Sequence, residues 1–455
     1  MKIYTADYVL TMNQQLECIP HGAVCVEGAT ILAVGTLQEL KTHYPYVEVI
    51  AYPKTLLMPG LVNTHCHSGL LRGTAEGLAV WDWLQQFIDP MHRVLTPQDA
   101  KIASYLCYAE ALLSGTTTIV DMWRYMDGSA EAAKELGIRA VLVPYVAEHP
   151  DHNYFETLKS NEALLKQWHQ AEHGRIQVWV GLEHLFYAEP SALQHIQALC
   201  QEYQTGFHTH SNESKFDVEE NLKRYGMRPI QTLEKLGMFD VPKTLLAHCV
   251  WANDDEIEIL KHYKIGVAHN PISNMKLASG AAPISAMLAK GVAVGLGTDG
   301  EKENNNLDMF EEMKTASLLA KFSQLDAAVL DSWSVCQMAT IKGAQALSMH
   351  NEIGSLEVGK RADMIAVNLA TPRMTPLIDT GPLMNLYTNL VHAVQGQDVV
   401  MTMVDGQIVV EHKKLVNADL QALIDQVNVA APQLFQRRGS WLAQQGQVVN
   451  ELQRT

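Results

Sequence analysis

The chain has 455 residues, 47% hydrophobic and 18% charged, a composition that supports a large buried core and excludes extended disorder. A net charge of −16 disfavours nucleic acid as a partner, and no apolar run approaches the roughly 20 residues of a membrane helix. MKIYTADYVLTM at the start lacks the apolar core of a secretory signal, and the seven cysteines form neither an even set nor a C-x-x-C pair, so a reducing cytoplasm is expected.

GAVCVEGATILAVG reads as strand, turn at Glu27–Gly28, strand. From there a rhythm of short apolar strands and longer helical stretches runs to about residue 350. The strands are LLMPGLVNTHCH, TTTIVDMW, RAVLVPYV, IQVWVGLEHL, TGFHTHSNE, TLLAHCV, IGVAHNP and VAVGLGTDG, with helical stretches such as PQDAKIASYLCYAEALLSG and SAEAAKELG between them. Eight alternations predict an α/β fold, a (β/α)8 TIM barrel over residues 56–359, in preference to a doubly wound open sheet. Strands return in GKRADMIAVNL and in VVMTMVDGQIVVEHKKLV, where Asp405–Gly406 is a hairpin signal. Residues 1–55 and 360–415 are expected to pair into a composite β-sandwich, and residues 416–455 read as a C-terminal helical segment.

Barrel enzymes carry their chemistry at the C-terminal ends of the strands. Reactive residues collect there: His65 and His67, then Glu183 and His184, then His208, His210 and Glu213, and finally His248, His269 and Asp299. One H-x-H in a chain of 19 histidines is a weak signal, but six converging strand ends are not. Residues i and i+2 share a strand face, so His65 and His67 can point together. With one histidine of the fifth strand and Asp299 they make a set that suits zinc or a similar ion with a position left for water. His208, one pleat deeper than His210, is read as core support, and Cys249 as packing. Glu213, three residues past His210, can carry a proton between such a water and a substrate ring nitrogen, while Asp299 can also take a proton.

PGLVNTHCH, LLRG, HTHSNES, AHCV, HNPISNMKLASG, GLGTDG, NNNLDM and IGSLEVGKRADMIAV together resemble the amidohydrolase superfamily, in its cytosine-deaminase-like branch, over nearly the whole chain. The nearest likeness is to the S-adenosylhomocysteine and methylthioadenosine deaminases, with triazine hydrolases on the same scaffold. The resemblance implies a barrel with a small β-sandwich built from both termini. It implies one divalent metal, zinc or iron, held by His65, His67, His210 and Asp299. Glu213 would be the proton shuttle, His248 the group that holds the water or the oxyanion, and His269 a residue near the substrate. No lysine of the fourth strand is placed to be carbamylated between two metals.

The departures from that pattern concern the substrate. LEHLFY stands where the nucleoside deaminases have P-H-A-P-Y, so His184 remains and Glu183 is new. Glu303 replaces a serine after Asp299, and His92 stands where a ribose-holding glutamate is expected. Trp81, like Lys276, Arg72 and Trp83, is either a substrate contact or packing. The expected function is metal-dependent deamination of an amino-substituted N-heterocycle (purine, pterin, pyrimidine or nucleoside-like) by attack of metal-bound water, with release of ammonia. The alternative is loss of chloride or an alkylamine from a triazine-like ring. A non-catalytic scaffold is disfavoured by the complete ligand set. The expected partner is a small heterocycle, with no nucleic acid and no membrane, and the resemblance points to a homo-oligomer (dimer or tetramer).

Overall fold

A single residue, Gly60, separates the strand Glu48–Pro59 from Leu61–Cys66 in the computed structural model, which describes residues 1–74, 76–379 and 383–446. A Cβ on Gly60 would lie 2.1 Å from Thr117 Oγ1, so no side chain fits at this crossing. The expectation of one strand through LLMPGLVNTHCH is corrected here: residues up to Pro59 pair within the sheet of the termini. The boundary expected at residue 55 therefore falls at Gly60.

Eight parallel strands follow: β1 (Leu61–Cys66), β2 (Thr116–Trp123), β3 (Arg139–Pro144), β4 (Ile176–Val178, resuming as Val180–Gly181), β5 (Gly206–Ser211), β6 (Lys243–His248), β7 (Gly266–His269) and β8 (Val294–Leu296). Nearly every residue in them is buried, as expected of parallel strands covered on both faces. Their ladders form two parallel sheets, β1 to β3 with the first half of β4, and the second half of β4 with β5 to β8. Trp179, between the halves of β4, donates its N–H to Leu142 O on β3 at 2.9 Å. At the other seam Thr64 Oγ1 donates to Leu296 O at 2.9 Å, and Asp299 N–H donates to His65 O at 3.0 Å. Strand ends that carry the reactive residues are thereby tied to one another.

The intervening helices start and stop on local signals. Pro97–Leu113 begins in a capping box between Thr96 and Asp99, and Asp127–Leu136 ends at Gly137 in the left-handed region. The helix Leu420–Gln444 packs across Pro97–Leu113 and the short helix Asp89–Val94; residues 447–455 of the expected helical segment lie outside the described residues.

Strands from both chain ends join in one nine-stranded sheet. Glu48–Pro59 lies at its centre, parallel to Lys2–Leu10 and antiparallel to Met364–Asn368. The Asp405–Gly406 turn has φ of 47° and 72°, which suits a tight hairpin between Val399–Val404 and Gln407–Glu411. The first hairpin turns at Gly28–Ala29, one residue later than expected.

Arg139, at the start of β3 and 1% exposed, connects the two parts of the fold. Its guanidinium reaches Asp363 at 2.8 and 3.1 Å, just before the strand Met364–Asn368, and Asp405 at 2.5 Å, in the hairpin turn of the same sheet. Removing the cation would leave Asp363 buried and uncompensated. Arg139→Met is expected to lower the urea unfolding free energy by about 3–5 kcal/mol; a loss below about 1 kcal/mol, the range of an exposed pair, would contradict this.

Candidate active site

Four side chains meet where β1, β5 and β8 end. His67 Nδ1 lies 2.7 Å from Met122 O, and His210 Nδ1 lies 2.7 Å from Glu183 O. A carbonyl only accepts, so both Nδ1 atoms carry a proton and both rings turn Nε2 toward the same point. His65 is fixed through one more residue. His208 Nδ1 donates to Leu245 O at 2.9 Å, and burial pushes the His208 pKa down to about 3, so its Nε2 is an acceptor. That Nε2 lies 2.8 Å from His65 Nδ1, which therefore donates. His65 Nε2 is left bare, buried and without a hydrogen-bond partner among the described residues. Burial holds His65 and His210 well below the ordinary histidine range, in agreement with neutral rings.

These lone pairs face one another. The Nε2 atoms of His67 and His210 are 3.3 Å apart, and Asp299 Oδ1 lies 3.2 Å from His67 Nε2 and 3.4 Å from His65 Nε2. Acceptors facing acceptors at such distances repel unless a cation lies between them. Tetrahedral ligands about 2.0–2.1 Å from one ion are separated by about 3.3 Å, so the spacing fits a zinc-sized ion.

The surrounding groups are held as firmly. His248 Nδ1 donates to Asn274 Oδ1 at 2.9 Å, and its Nε2 lies 3.9 Å from both Glu213 Oε2 and Asp299 Oδ2. Asp299 Oδ2 accepts from Ser273 Oγ at 2.6 Å. Asn212, His248, Cys249 and Asp299 all have φ between 49° and 71°, a left-handed backbone that costs a side-chain-bearing residue of order 1 kcal/mol or more. Strain of this kind at three strand ends marks a place where side-chain aim overrides backbone preference.

Glu213 N–H donates to Asp217 Oδ2 at 2.9 Å, and Ser214 and Asp217 form the capping box of the helix Lys215–Tyr225. Asp217 Oδ1 also takes Trp81 Nε1 at 3.1 Å and faces His184 Nε2 at 3.3 Å. Burial opposes charge on His184, yet Asp217 raises its pKa above the ordinary value. Burial, then the neighbouring Asp217, Asp299 and Glu303 carboxylates, raise Glu213 well above the usual range.

Trp81, Glu183, His184, Glu213 and Glu303 border one cavity with His67, His210 and Asp299. Val80, Trp81, Trp83 and Leu84, from the segment Val80–Ile88, line one side of it. Two expected substrate residues stand apart from its wall. His92 stacks on Tyr145 at 5.2 Å behind the cavity, and His269 lies buried at the end of β7. Arg72 pairs with Glu110, and Lys276 with Asn305. Sequence reasoning missed Asp217, Ser273 and Asn274. The S-x-x-D spacing of the capping box pointed to Asp217, and the other two lie inside the HNPISNMKLASG stretch.

The pattern of the Amidohydrolase family matches residues 56–409, and the chain belongs to that family. It is a hydrolase of carbon–nitrogen bonds other than peptide bonds. It is 38% identical over 432 residues to a 5-methylthioadenosine/S-adenosylhomocysteine deaminase of Thermoanaerobacter pseudethanolicus, covering 94% of this chain and 98% of that protein. It is also 38% identical over 436 residues to a 5′-deoxyadenosine deaminase of Methanosarcina mazei, covering 95% and 98%. A zinc-bound adenosine deaminase from Xanthomonas campestris superimposes with a TM-score of 0.88 at 28% identity, over 96% of this chain and 98% of that one. Atrazine chlorohydrolase from Arthrobacter aurescens gives 0.85 at 23% identity, over 95% and 100%, a likeness of fold alone.

Burial, with the nearby Asp89 and Glu213 carboxylates adding to it, pushes the Glu183 pKa up to about 8 despite the neighbouring His184. A carboxyl whose folded pKa exceeds its unfolded value loses stability as pH rises between the two. Metal-free Glu183→Gln protein is therefore expected to match the parent in melting temperature near pH 4.5 and to exceed it increasingly up to about pH 8. A constant gap across that window would contradict the shift.

Proposed function

We propose that this protein is a zinc-dependent aminohydrolase that replaces an exocyclic amine of a nucleoside-like N-heterocycle with oxygen and releases ammonia. The observation that carries the proposal is the junction of two features on one wall: three imidazoles and Asp299 aimed at a common point, and the buried Glu213 carboxyl beside them. His65, His67, His210 and Asp299 would hold the ion, and the three-nitrogen, one-oxygen donor set suits zinc. Deaminase relatives of 38% identity and the zinc-bound neighbour support the same reading.

A divalent ion here supplies Lewis acidity and eases deprotonation of water. The remaining steps belong to the chain. Asp299, oriented by Ser273, accepts a proton from the attacking water. Glu213, which burial and the neighbouring carboxylates push toward its protonated form, protonates the ring nitrogen beside the carbon under attack. His248, fixed by Asn274, holds the incoming oxygen from the side between Glu213 and Asp299. Asp299 hands its proton to the amine, the carbon–nitrogen bond breaks and ammonia leaves, and the remaining proton of the added hydroxyl returns to Glu213. One water is consumed, and the ring gains a carbonyl oxygen and an N–H.

The eight strands, bridged at both seams, are taken as a closed (β/α)8 barrel, with the sheet of the termini as its β-sandwich companion. Seven free cysteines support a reducing cytoplasm, where we place the enzyme as a dimer or tetramer. No described helix is long and apolar enough to cross a membrane.

With zinc loaded, Glu213→Gln is expected to lower kcat for ammonia release by about 10²–10⁴ while keeping its metal. Near-parental turnover would remove Glu213 from the mechanism. Chloride or alkylamine in place of ammonia, from a panel that includes triazines, would instead establish the competing chemistry.

A further inference from the structure

Two carboxylates on the cavity wall have no part in the proton transfers. Glu183, just past β4 and 4% exposed, accepts from Tyr145 Oη at 3.3 Å through Oε1. Glu303, 5% exposed, binds Lys302 Nζ at 2.9 Å through Oε1. The Oε2 atom of each is buried and has no hydrogen-bond partner among the described residues, and both residues border the cavity that holds Glu213. An unpaired buried carboxyl oxygen is costly, and although burial favours the protonated acid at Glu183, an N–H donor brought to Oε2 would stabilise the ionised, accepting form. Glu303 is rigidly placed: it lies in the helical turn Glu301–Asn304, where Glu301 Oε1 accepts from Leu71 N–H at 2.9 Å and Lys302 is itself buried.

This wall discriminates among ring substituents. An oxo group or a halogen offers nothing to a carboxylate oxygen, whereas an N–H does. The amine that leaves is served by Glu213, Asp299 and His248, so it does not satisfy both extra acceptors. The nearby Trp83 Nε1, buried and unpartnered on the same wall, is the matching donor for a ring nitrogen.

We propose that Glu183 and Glu303 recognise a second exocyclic amino group, so that the substrate is a diamino-substituted N-heterocycle that loses one amine and keeps the other. This rests on the aminohydrolase reading above and narrows its substrate class.

The test compares 2,6-diaminopurine with adenine, and their ribosides with each other, on the zinc-loaded enzyme. Ammonia release reports turnover, and calorimetric binding to zinc-loaded Glu213→Gln protein reports recognition without turnover. The 2-amino compounds are expected to be preferred by about tenfold or more in kcat/KM, chiefly through KM, and to bind more tightly by a similar factor. In Glu183→Gln and Glu303→Gln the amide carbonyl stays on Tyr145 or Lys302 and the amide NH2 turns to the cavity, so an acceptor becomes a donor. The preference should then fall below about threefold in at least one variant, with metal content and cooperative melting retained. Equal use of 2-amino and 2-H compounds, or a preference that survives both substitutions, would overturn the proposal. A binding preference without ammonia from the parent enzyme would uphold this recognition and overturn the deaminase reading. Ammonia without preference would do the reverse, and neither binding nor turnover would overturn both.

Discussion

Three backbone carbonyls determine what the site can be. Met122 O, Glu183 O and, through His208, Leu245 O each hold the Nδ1 proton of an imidazole, leaving three bare Nε2 atoms directed at Asp299. Nitrogen atoms within about 3.3 Å of one another and of a carboxylate are stabilised by a cation between them. Met122 O and Leu245 O belong to strands and Glu183 O lies just past one, so the aim of these imidazoles follows largely from the pairing of the parallel strands.

The rest of the cavity extends this logic outward. Left-handed residues at the ends of β5, β6 and β8 turn His248 and Asp299 toward the same point as the imidazoles. Ser273 and Asn274, from one short helix, fix the carboxylate and the fourth imidazole. Asp217 gathers Trp81, His184 and the Glu213 backbone, so the Val80–Trp83 helix, the fourth strand end and Glu213 share one anchor.

Much of this is legible in the sequence because strand chemistry is local. The two-residue period puts His65 with His67 and His208 with His210, and turn residues mark the hairpin at Asp405–Gly406. What is not legible depends on tertiary neighbours. The apolar run through Gly60 looks continuous, and only the approach of Thr117 shows why the chain must change sheets there. His92 has the spacing of a substrate residue, but its helix turns the ring onto Tyr145. Ser273 and Asn274 are ordinary polar residues until β8 and β6 bring Asp299 and His248 against them.

The claim on which everything else rests is that one divalent ion occupies the point shared by His65, His67, His210 and Asp299. Cobalt substitution tests it directly, through metal content by mass spectrometry and the visible absorption of the loaded protein. One ion per chain is predicted, with a four- or five-coordinate spectrum that is lost in His67→Ala while the protein still folds. An ion retained at full stoichiometry with an unchanged spectrum in that variant would place the metal elsewhere and contradict the account.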